Sequence, residues 1–183
     1  MTSLFSTRQW VPFPVELVFA FFANPANLPR LMPERMKARI ESVDFQAPPP
    51  RPPAPEALRR FRSIAAGAGS EVWVNFRPVP WVPLRLSWTA KITEFAWNSH
   101  FCDTQVRGPF ALFQHRHGIA ARTMDRVQGT LVSDEIEFAL PFGAIGRAMV
   151  PIARWELGRV FRHRQERLPE LLAAAAEQAA RRA

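Results

Sequence analysis

The segment 83–95, PLRLSWTAKITEF, limits what this chain can fold into more than any other part of the sequence. Its residues alternate strictly between apolar side chains and polar ones. The apolar set is Leu84, Leu86, Trp88, Ala90 and Ile92, and the polar set is Arg85, Ser87, Thr89, Lys91 and Thr93. Successive side chains of a β-strand point to opposite faces, so the pattern predicts a strand with one dry and one wet face. Such a strand belongs in an antiparallel sheet whose dry face another element must cover.

Comparable two-residue periodicity predicts six further strands around this one. In chain order the seven predicted strands cover residues 4–11, 36–45, 71–79, 83–95, 100–107, 110–125 and 130–140. Turns are expected at Gly108-Pro109 and near Gln128-Gly129, because glycine and proline favour turn conformations. Helical spacing after the first strand predicts one short helix after Pro14 and a second between Pro25 and Pro33.

The pattern becomes helical again from Gly143 to the end of the chain. An apolar stripe runs along this predicted helix, formed by Ile145, Met149, Ile152, Leu157, Val160 and Phe161. Pro151 and Pro169 are expected to kink it or mark its ends, and residues 173–183 are expected to fray. No other large apolar element remains to cover the sheet. The predicted fold class is therefore α+β, with a curved seven-stranded antiparallel sheet wrapped around a long C-terminal helix.

Residues 46–62, QAPPPRPPAPEALRRFR, contain six prolines and interrupt the strand pattern. Such a stretch favours polyproline II and cannot pair within a sheet. An inserted surface loop is the favoured interpretation, and docking on an aromatic groove of a partner is the alternative. Neither divides the chain, so we expect one domain over residues 1–183, which is long enough for a large core or a sizeable cavity.

The formal net charge of +8 comes almost entirely from arginine, with two lysines, Lys37 and Lys91. Such a charge can attract nucleic acid, anionic membranes or acidic small molecules, and it can equally reflect the codon composition of the source. One arginine-rich cluster comprises Arg159, Arg162, His163, Arg164 and Arg167. No nucleic-acid motif accompanies it, so a solvated helix face is favoured, a nucleic-acid partner is not expected, and peripheral membrane contact stays open.

The single cysteine, Cys102, excludes an internal disulfide and a cysteine-based metal cluster. The first ten residues lack the pattern of a secretory signal, and no apolar run reaches the roughly 20 residues of a membrane span. These features predict a soluble, cytoplasmic protein.

Five stretches of the sequence resemble the SRPBCC superfamily, also called START-like or helix-grip, and in particular its small bacterial polyketide cyclase/dehydrase-like members. They are WVPFPVELVFAFFANPANLPRLMP, GAGSEV, RGPFALFQHRH, GTLVSDEIEFALPFGAIGRAM and RVFRHRQERL, and all of them fall between residues 5 and 172. The resemblance implies a hydrophobic cavity between sheet and helix that binds a lipid, a polyketide, an isoprenoid or a similar molecule. It implies no reaction, since the fold hosts carriers, sensors and enzymes alike.

Two histidines stand in the predicted strand FALFQHRHGIA, residues 110–120. The odd positions are the expected inner face because they carry Phe113 and Ile119, which directs His115 and His117 toward the cavity. In the next strand the inward set by apolar content is Val132, Asp134, Ile136 and Phe138. A turn near Gln128-Gly129 would place Ile119 opposite Phe138 and Asp134 opposite Thr123, at the far end of the sheet from His115.

The preceding strand has two alternative registers, which place opposite sets of side chains inward. A two-residue turn at Gly108-Pro109 would direct His100, Cys102 and Thr104 inward. A three-residue turn would instead direct Phe101, Asp103 and Gln105 inward, with Asp103 opposite His115. We favour the second, because a carboxylate across from an imidazole satisfies both groups.

The histidine pair has four possible roles: metal ligands together with Asp103, acid-base groups oriented by Asp103, binding groups for the polar head of an apolar ligand, or buried polar groups that satisfy one another. We expect binding or transport of a hydrophobic small molecule, without metal or cofactor. The predicted ligand-binding residues are Phe101, Asp103, Gln105, Phe113, His115, His117, Trp88, Phe138, Met149 and Trp155. The alternatives are a cyclase or dehydratase in which His115 or His117 acts with Asp103, and a lipid-handling protein that docks on membranes.

Overall fold

Seven strands form a single antiparallel sheet in the order β1-β7-β6-β5-β4-β3-β2. The computed structural model describes residues 1–53, 63–78 and 84–181. Within them the strands are β1 Ser3–Val11, β2 Arg39–Asp44, β3 Glu71–Phe76, β4 Leu86–Ala96, β5 His100–Arg107, β6 Leu112–Met124 and β7 Val127–Ala139. Residues 54–62 of the proline-rich segment, positions 79 and 83 of two predicted strands, and the last two residues lie outside the described residues.

The helices occupy the places that the sequence predicts. Two short helices, α1 (Val15–Phe22) and α2 (Leu28–Leu31), lie between β1 and β2, and a long helix, α3 (Gly143–Arg181), follows β7. Pro151 and Pro169 both lie inside α3. The predicted helix-grip fold class is therefore confirmed. No helix in the described part of the chain is long and apolar enough to cross a membrane.

The main core forms where α1 and the second half of α3 pack on the dry face of the sheet. Val18 and Phe19 of α1 are fully buried there, as are Val11 of β1 and Leu172 of α3. Residues 173–181, which we expected to fray, are helical. The physical reason is that Leu171 and Leu172 are buried and the next turn, through Ala175 and Ala176, packs against the same core.

The connection between β6 and β7 differs from the prediction. The turn lies at Asp125-Arg126, whose φ angles of 49° and 67° are the pair of positive values that a two-residue type I′ hairpin turn requires. The expected turn residue Gly129 instead lies inside β7, where an added Cβ would come within 2.5 Å of the Val11 carbonyl oxygen. The register therefore shifts, and His117 rather than Thr123 lies opposite Asp134.

The inward face of α3 also differs from the predicted stripe. A row at helical spacing faces the sheet and the other helices, formed by Val150, Ala153, Leu157, Val160, Phe161, Arg164 and Leu168. Ile145, Met149 and Ile152 fall to one side of this row and remain 70%, 44% and 56% exposed. The reason is helical geometry: each residue turns the helix by about 100°, so these three side chains point to one side of the centre of the buried row.

The proline-rich segment is anchored at its beginning. The Trp97 indole Nε1 donates a hydrogen bond to the Pro49 carbonyl at 2.7 Å, and Arg51 lies over the same ring. Further back, the backbone N–H of Gln46 donates to Ser70 Oγ at 2.9 Å. Residues 46–53 form no strand, as the prolines predict.

Candidate functional site

A cavity of about 430 Å³ opens between the sheet, α1–α2 and the middle of α3. Most of the side chains that line it are apolar, among them Leu31, Met36, Val74, Trp88, Phe113 and Leu157. Strand β4 contributes Leu86, Trp88, Ala90 and Ile92, four of the five apolar residues of the alternating segment 83–95, whereas Leu84 precedes the strand and is exposed. The volume lies in the ordinary range of pockets for small molecules, roughly 300–1,000 Å³.

One wall of the cavity is polar. Asp103 from β5, His115 and His117 from β6, and Arg164 from α3 all line it. The β5–β6 register pairs Asp103 with His115, as the favoured three-residue turn predicts. The β6–β7 register pairs His117 with Asp134 on the other side.

Each imidazole lies between two carboxylates. His115 Nε2 is 3.0 Å from Asp134 Oδ1, and His115 Nδ1 is 3.8 Å from Asp103 Oδ2. His117 Nδ1 is 3.1 Å from Asp134 Oδ1, and His117 Nε2 is 3.2 Å from Asp103 Oδ2. We refer to Asp103, His115, His117 and Asp134 as the His-Asp cluster. The two imidazole centroids are only 3.7 Å apart.

Arg164 provides the positive charge beside this cluster. Its Nη2 lies 3.0 Å from Asp134 Oδ1, and its guanidinium stacks 4.5 Å from the centre of the Phe22 ring. The contacts of Arg164 Nη2 and His117 Nδ1 with Asp134 are short but not aligned as hydrogen bonds. Within the described residues both buried atoms lack a hydrogen-bond partner.

The environment shifts three pKa values in this cluster. Burial raises the pKa of Asp134, but the charge of Arg164, the hydrogen bond with His115 and the close contact with His117 outweigh it and hold that pKa well below 3.8. Burial lowers the pKa of His115, and the charge of His117 lowers it further. Burial also lowers the pKa of His117, but the hydrogen bond to Asp103 and the close contact with Asp134 outweigh that effect and raise it overall. The pKa values of the two neighbouring imidazoles are thus shifted in opposite directions.

In the ligand-free protein we expect His115 to titrate below the usual 6.5 and His117 to titrate above it. The stabilisation from His117 is then fully present below pH 6.5 and is lost as pH rises through its folded-state pKa. The stabilisation from His115 is present above pH 6.5 and is lost as pH falls through its own folded-state pKa. Imidazole NMR titration, assigned with His115→Gln and His117→Gln, measures both values. Titration of both rings on the same side of 6.5 would contradict the assignment.

The structure brings together six of the ten predicted ligand-binding residues. The cavity-lining six are Trp88, Phe101, Asp103, Phe113, His115 and His117. Gln105 instead binds the backbone of Phe110 through its side-chain amide. Phe138 is fully buried in a core cluster, beneath the cavity wall.

Met149 and Trp155 do not reach the cavity. Trp155 is 61% exposed and lies on the side of α3 away from the buried row, with Arg159 stacked 4.7 Å from its ring centre. Helical spacing from Leu157 and Phe161 directs other side chains of α3 inward. The structure therefore does not place Met149 or Trp155 among the cavity-lining residues.

Sequence reasoning missed one residue of the polar wall and misplaced one residue of the His-Asp cluster. Arg164 was assigned to a solvated helix face, yet it is only 8% exposed, and Asp134 was placed far from His115. Arg164 falls three residues after Phe161 and four before Leu168. An arginine inside an apolar row at helical spacing was the signal that could have identified it.

Several solved structures share this arrangement of sheet and helices. Protein CV1439 from Chromobacterium violaceum has a TM-score of 0.63 and 13% identity, with 92% of this chain and 96% of that chain covered. A START superfamily protein from Mycobacterium smegmatis has a TM-score of 0.59 and 12% identity, with 93% and 97% covered. A point mutant of Thalictrum flavum norcoclaurine synthase in complex with a transition-state analogue has a TM-score of 0.60 and 11% identity, with 95% and 96% covered. No family model and no curated protein sequence matches this chain.

Proposed function

Because the chain has the helix-grip fold of START-like proteins, we propose that it binds a hydrophobic small molecule in the cavity between the sheet and α3. The observation that carries this proposal is a 430 Å³ cavity with an almost wholly apolar lining and one polar wall. An apolar ligand gains free energy by leaving water for such a surface. A lipid, a polyketide or an isoprenoid-like molecule has the required chemistry.

The polar wall suggests how the ligand is oriented. Asp103, His115, His117 and Arg164 all lie on one side of a mostly apolar space. A ligand with one polar end pays the smallest desolvation penalty when that end faces this wall. Trp88 also lines the cavity, and its buried Nε1 has no hydrogen-bond partner among the described residues. A hydrogen-bond acceptor on the ligand would satisfy that donor.

The structural neighbours add one supporting fact. The norcoclaurine synthase structure holds a transition-state analogue, so at least one protein of this architecture is solved with a small molecule bound. The proposal for this chain extends only to binding.

Filling the cavity should block binding without unfolding the protein. Ala153 lines the cavity, whereas Ala148 is exposed on the same helix. We expect Ala153→Trp to weaken binding of the fluorescent dye anilinonaphthalene sulfonate by about tenfold or more, because overpacking typically costs about 1–3 kcal/mol. Ala148→Trp adds the same side chain outside the cavity and should leave the affinity unchanged. Fluorescence titration of the three proteins measures the effect.

Two results would count against the proposal. One is equal dye affinity in wild type and Ala153→Trp, which would place the dye elsewhere. The other is native mass spectra that show only ligand-free protein across several gentle preparations, together with no saturable dye binding.

A further inference from the structure

We propose that Asp103, His115 and His117 bind a divalent transition-metal ion, with Zn²⁺ as the reference ion, at the polar wall of the cavity. This inference goes beyond the proposed small-molecule binding and does not depend on it. It also revises the expectation that the pair works without metal. The reason for this revision is the arrangement of all four imidazole nitrogens, which the sequence could not reveal.

The three candidate ligand atoms are already close together. One donor atom from each of Asp103, His115 and His117 lies within 4.8 Å of the others. Asp103 Oδ2 is 3.2 Å from His117 Nε2 and 3.8 Å from His115 Nδ1. In a tetrahedral zinc centre with bonds of about 2.0–2.1 Å, neighbouring ligand atoms lie about 3.3 Å apart. The two Asp103 distances are close to this spacing, and side-chain adjustment would have to bring the two imidazole nitrogens to it as well.

The outward nitrogens support the same assignment. His115 Nε2 and His117 Nδ1, which would not touch the ion, lie 3.0 Å and 3.1 Å from Asp134 Oδ1. Histidines that bind metals usually donate their second N–H to a carboxylate, which selects the tautomer and orients the ring. Here one carboxylate lies beside both rings. It hydrogen-bonds to His115 Nε2, its contact with His117 Nδ1 is short but not aligned as a hydrogen bond, and Arg164 holds it at 3.0 Å.

Counting hydrogens gives an independent reason for a cation. All four ring nitrogens face carboxylate oxygens, but two neutral imidazoles carry only two N–H groups. If those protons point to Asp134, the two remaining lone pairs point toward Asp103 Oδ2. Three groups of lone pairs then face one another in a buried space. In the ligand-free protein a proton on His117, whose pKa is raised, relieves that repulsion. A divalent cation would relieve it by coordination instead, and Asp103 would offset part of its charge, since Asp134 is already paired with Arg164.

The ligand set and its position indicate the class of ion. Two imidazoles and one carboxylate suit Zn²⁺, Fe²⁺ and related first-row ions, whereas Ca²⁺ and Mg²⁺ prefer oxygen ligands. The three residues line the cavity, so the open side of the ion would face the apolar space. Three protein ligands with an open position are typical of zinc sites that contact a substrate or ligand.

Direct metal titration tests the proposal. Wild-type protein treated with a chelator and then dialysed should bind about one Zn²⁺ per chain by isothermal titration calorimetry. Asp103→Asn removes a ligand charge and should weaken binding by more than the roughly 10–100-fold typical of outer-shell changes. Asp134→Asn leaves all three ligands in place and should weaken binding by about 10–100-fold.

The other two histidines provide matched controls. His100, which lies 3.5 Å from the Glu94 carboxylate, is the most plausible competing surface site, and His163 is on α3. We expect His100→Gln and His163→Gln to retain the wild-type stoichiometry and affinity. Loss of binding in His100→Gln with unchanged binding in Asp103→Asn would overturn the proposal.

Wild-type measurements keep the test decisive even where a variant does not fold. Addition of Zn²⁺ should shift the imidazole NMR signals of His115 and His117, and Co²⁺ should give the visible absorption of a mixed nitrogen and oxygen site. Absence of saturable Zn²⁺ binding by folded wild-type protein would overturn the proposal by itself. Dye binding in the presence of chelator is a separate readout, so failure of the metal proposal is distinguishable from failure of small-molecule binding.

Discussion

Replacing Arg164 with Met is expected to lower the free energy of unfolding by about 3–5 kcal/mol, the range for removing one partner of a buried ion pair. Arg164 and Asp134 are 8% and 4% exposed, and their closest atoms are 3.0 Å apart. Without the guanidinium the Asp134 carboxylate remains buried with only the two imidazoles beside it. Methionine retains apolar contact with Phe22 and Phe161, so the lowered free energy of unfolding reflects mainly the missing positive charge. Urea unfolding followed by circular dichroism measures it.

The matched control is Arg162→Met. Arg162 is exposed on the same helix, so its replacement should change the free energy of unfolding by no more than about 0.5 kcal/mol. Adding Asp134→Asn to Arg164→Met should recover part of the loss, because an amide carries no charge. Equal unfolding midpoints for Arg164→Met and Arg162→Met would show that the ion pair contributes nothing.

The unfolding free energies of wild type and Arg164→Met should converge in acid. Because the pKa of Asp134 in the folded protein is held below 3.8, its stabilisation is present above pH 3.8 and is lost as pH falls through the folded-state value. Arg164→Met lacks the charge that lowers this pKa. The difference in unfolding free energy between wild type and variant should therefore shrink below pH 3.8.

Phe138→Ala is expected to destabilise the fold by about 3–5 kcal/mol, the usual range for truncating a fully buried phenylalanine. Phe138 is 0% exposed and packs in a core cluster with Phe113, Ile136 and Phe161. It does not line the cavity, so dye affinity should be unchanged wherever the variant is folded. Urea unfolding and dye titration together separate a core residue from a ligand-binding residue.

Phe142→Ala is the control for this prediction. The same side chain is deleted at a position that is 81% exposed, so the stability should stay within about 0.5 kcal/mol of wild type. A Phe138→Ala protein that remains as stable as Phe142→Ala but loses dye binding would restore the original expectation that Phe138 contacts the ligand.

The strand β6 shows how much of the candidate site is readable from sequence. The alternation around Phe113 and Ile119 predicts that His115 and His117 face inward, and both line the cavity. The choice of register for β5, made because a carboxylate and an imidazole satisfy each other, agrees with the observed pairing of Asp103 and His115. Both inferences rely on neighbours along one strand or across one hairpin.

The β6–β7 register shows where such reasoning fails. Ile119 lies opposite Val132 instead of Phe138, a shift of six residues. Because that shift is even, every side chain keeps its predicted face while its partner changes. Glycine suggested a turn at Gly129, but the close approach of Trp10 and Val11 explains that glycine, and Asp125-Arg126 forms the turn.

The sequence by itself determined the order of the elements, the seven strands and the inward faces of most of them, since each follows from residue periodicity. Only the tertiary structure decided that Asp134 and Arg164 join Asp103, His115 and His117. Their proximity depends on which residues form the β6–β7 turn and on the rotation of α3 about its axis. A single residue's difference in either would alter which charges share the buried wall, and local pattern carries no information about it.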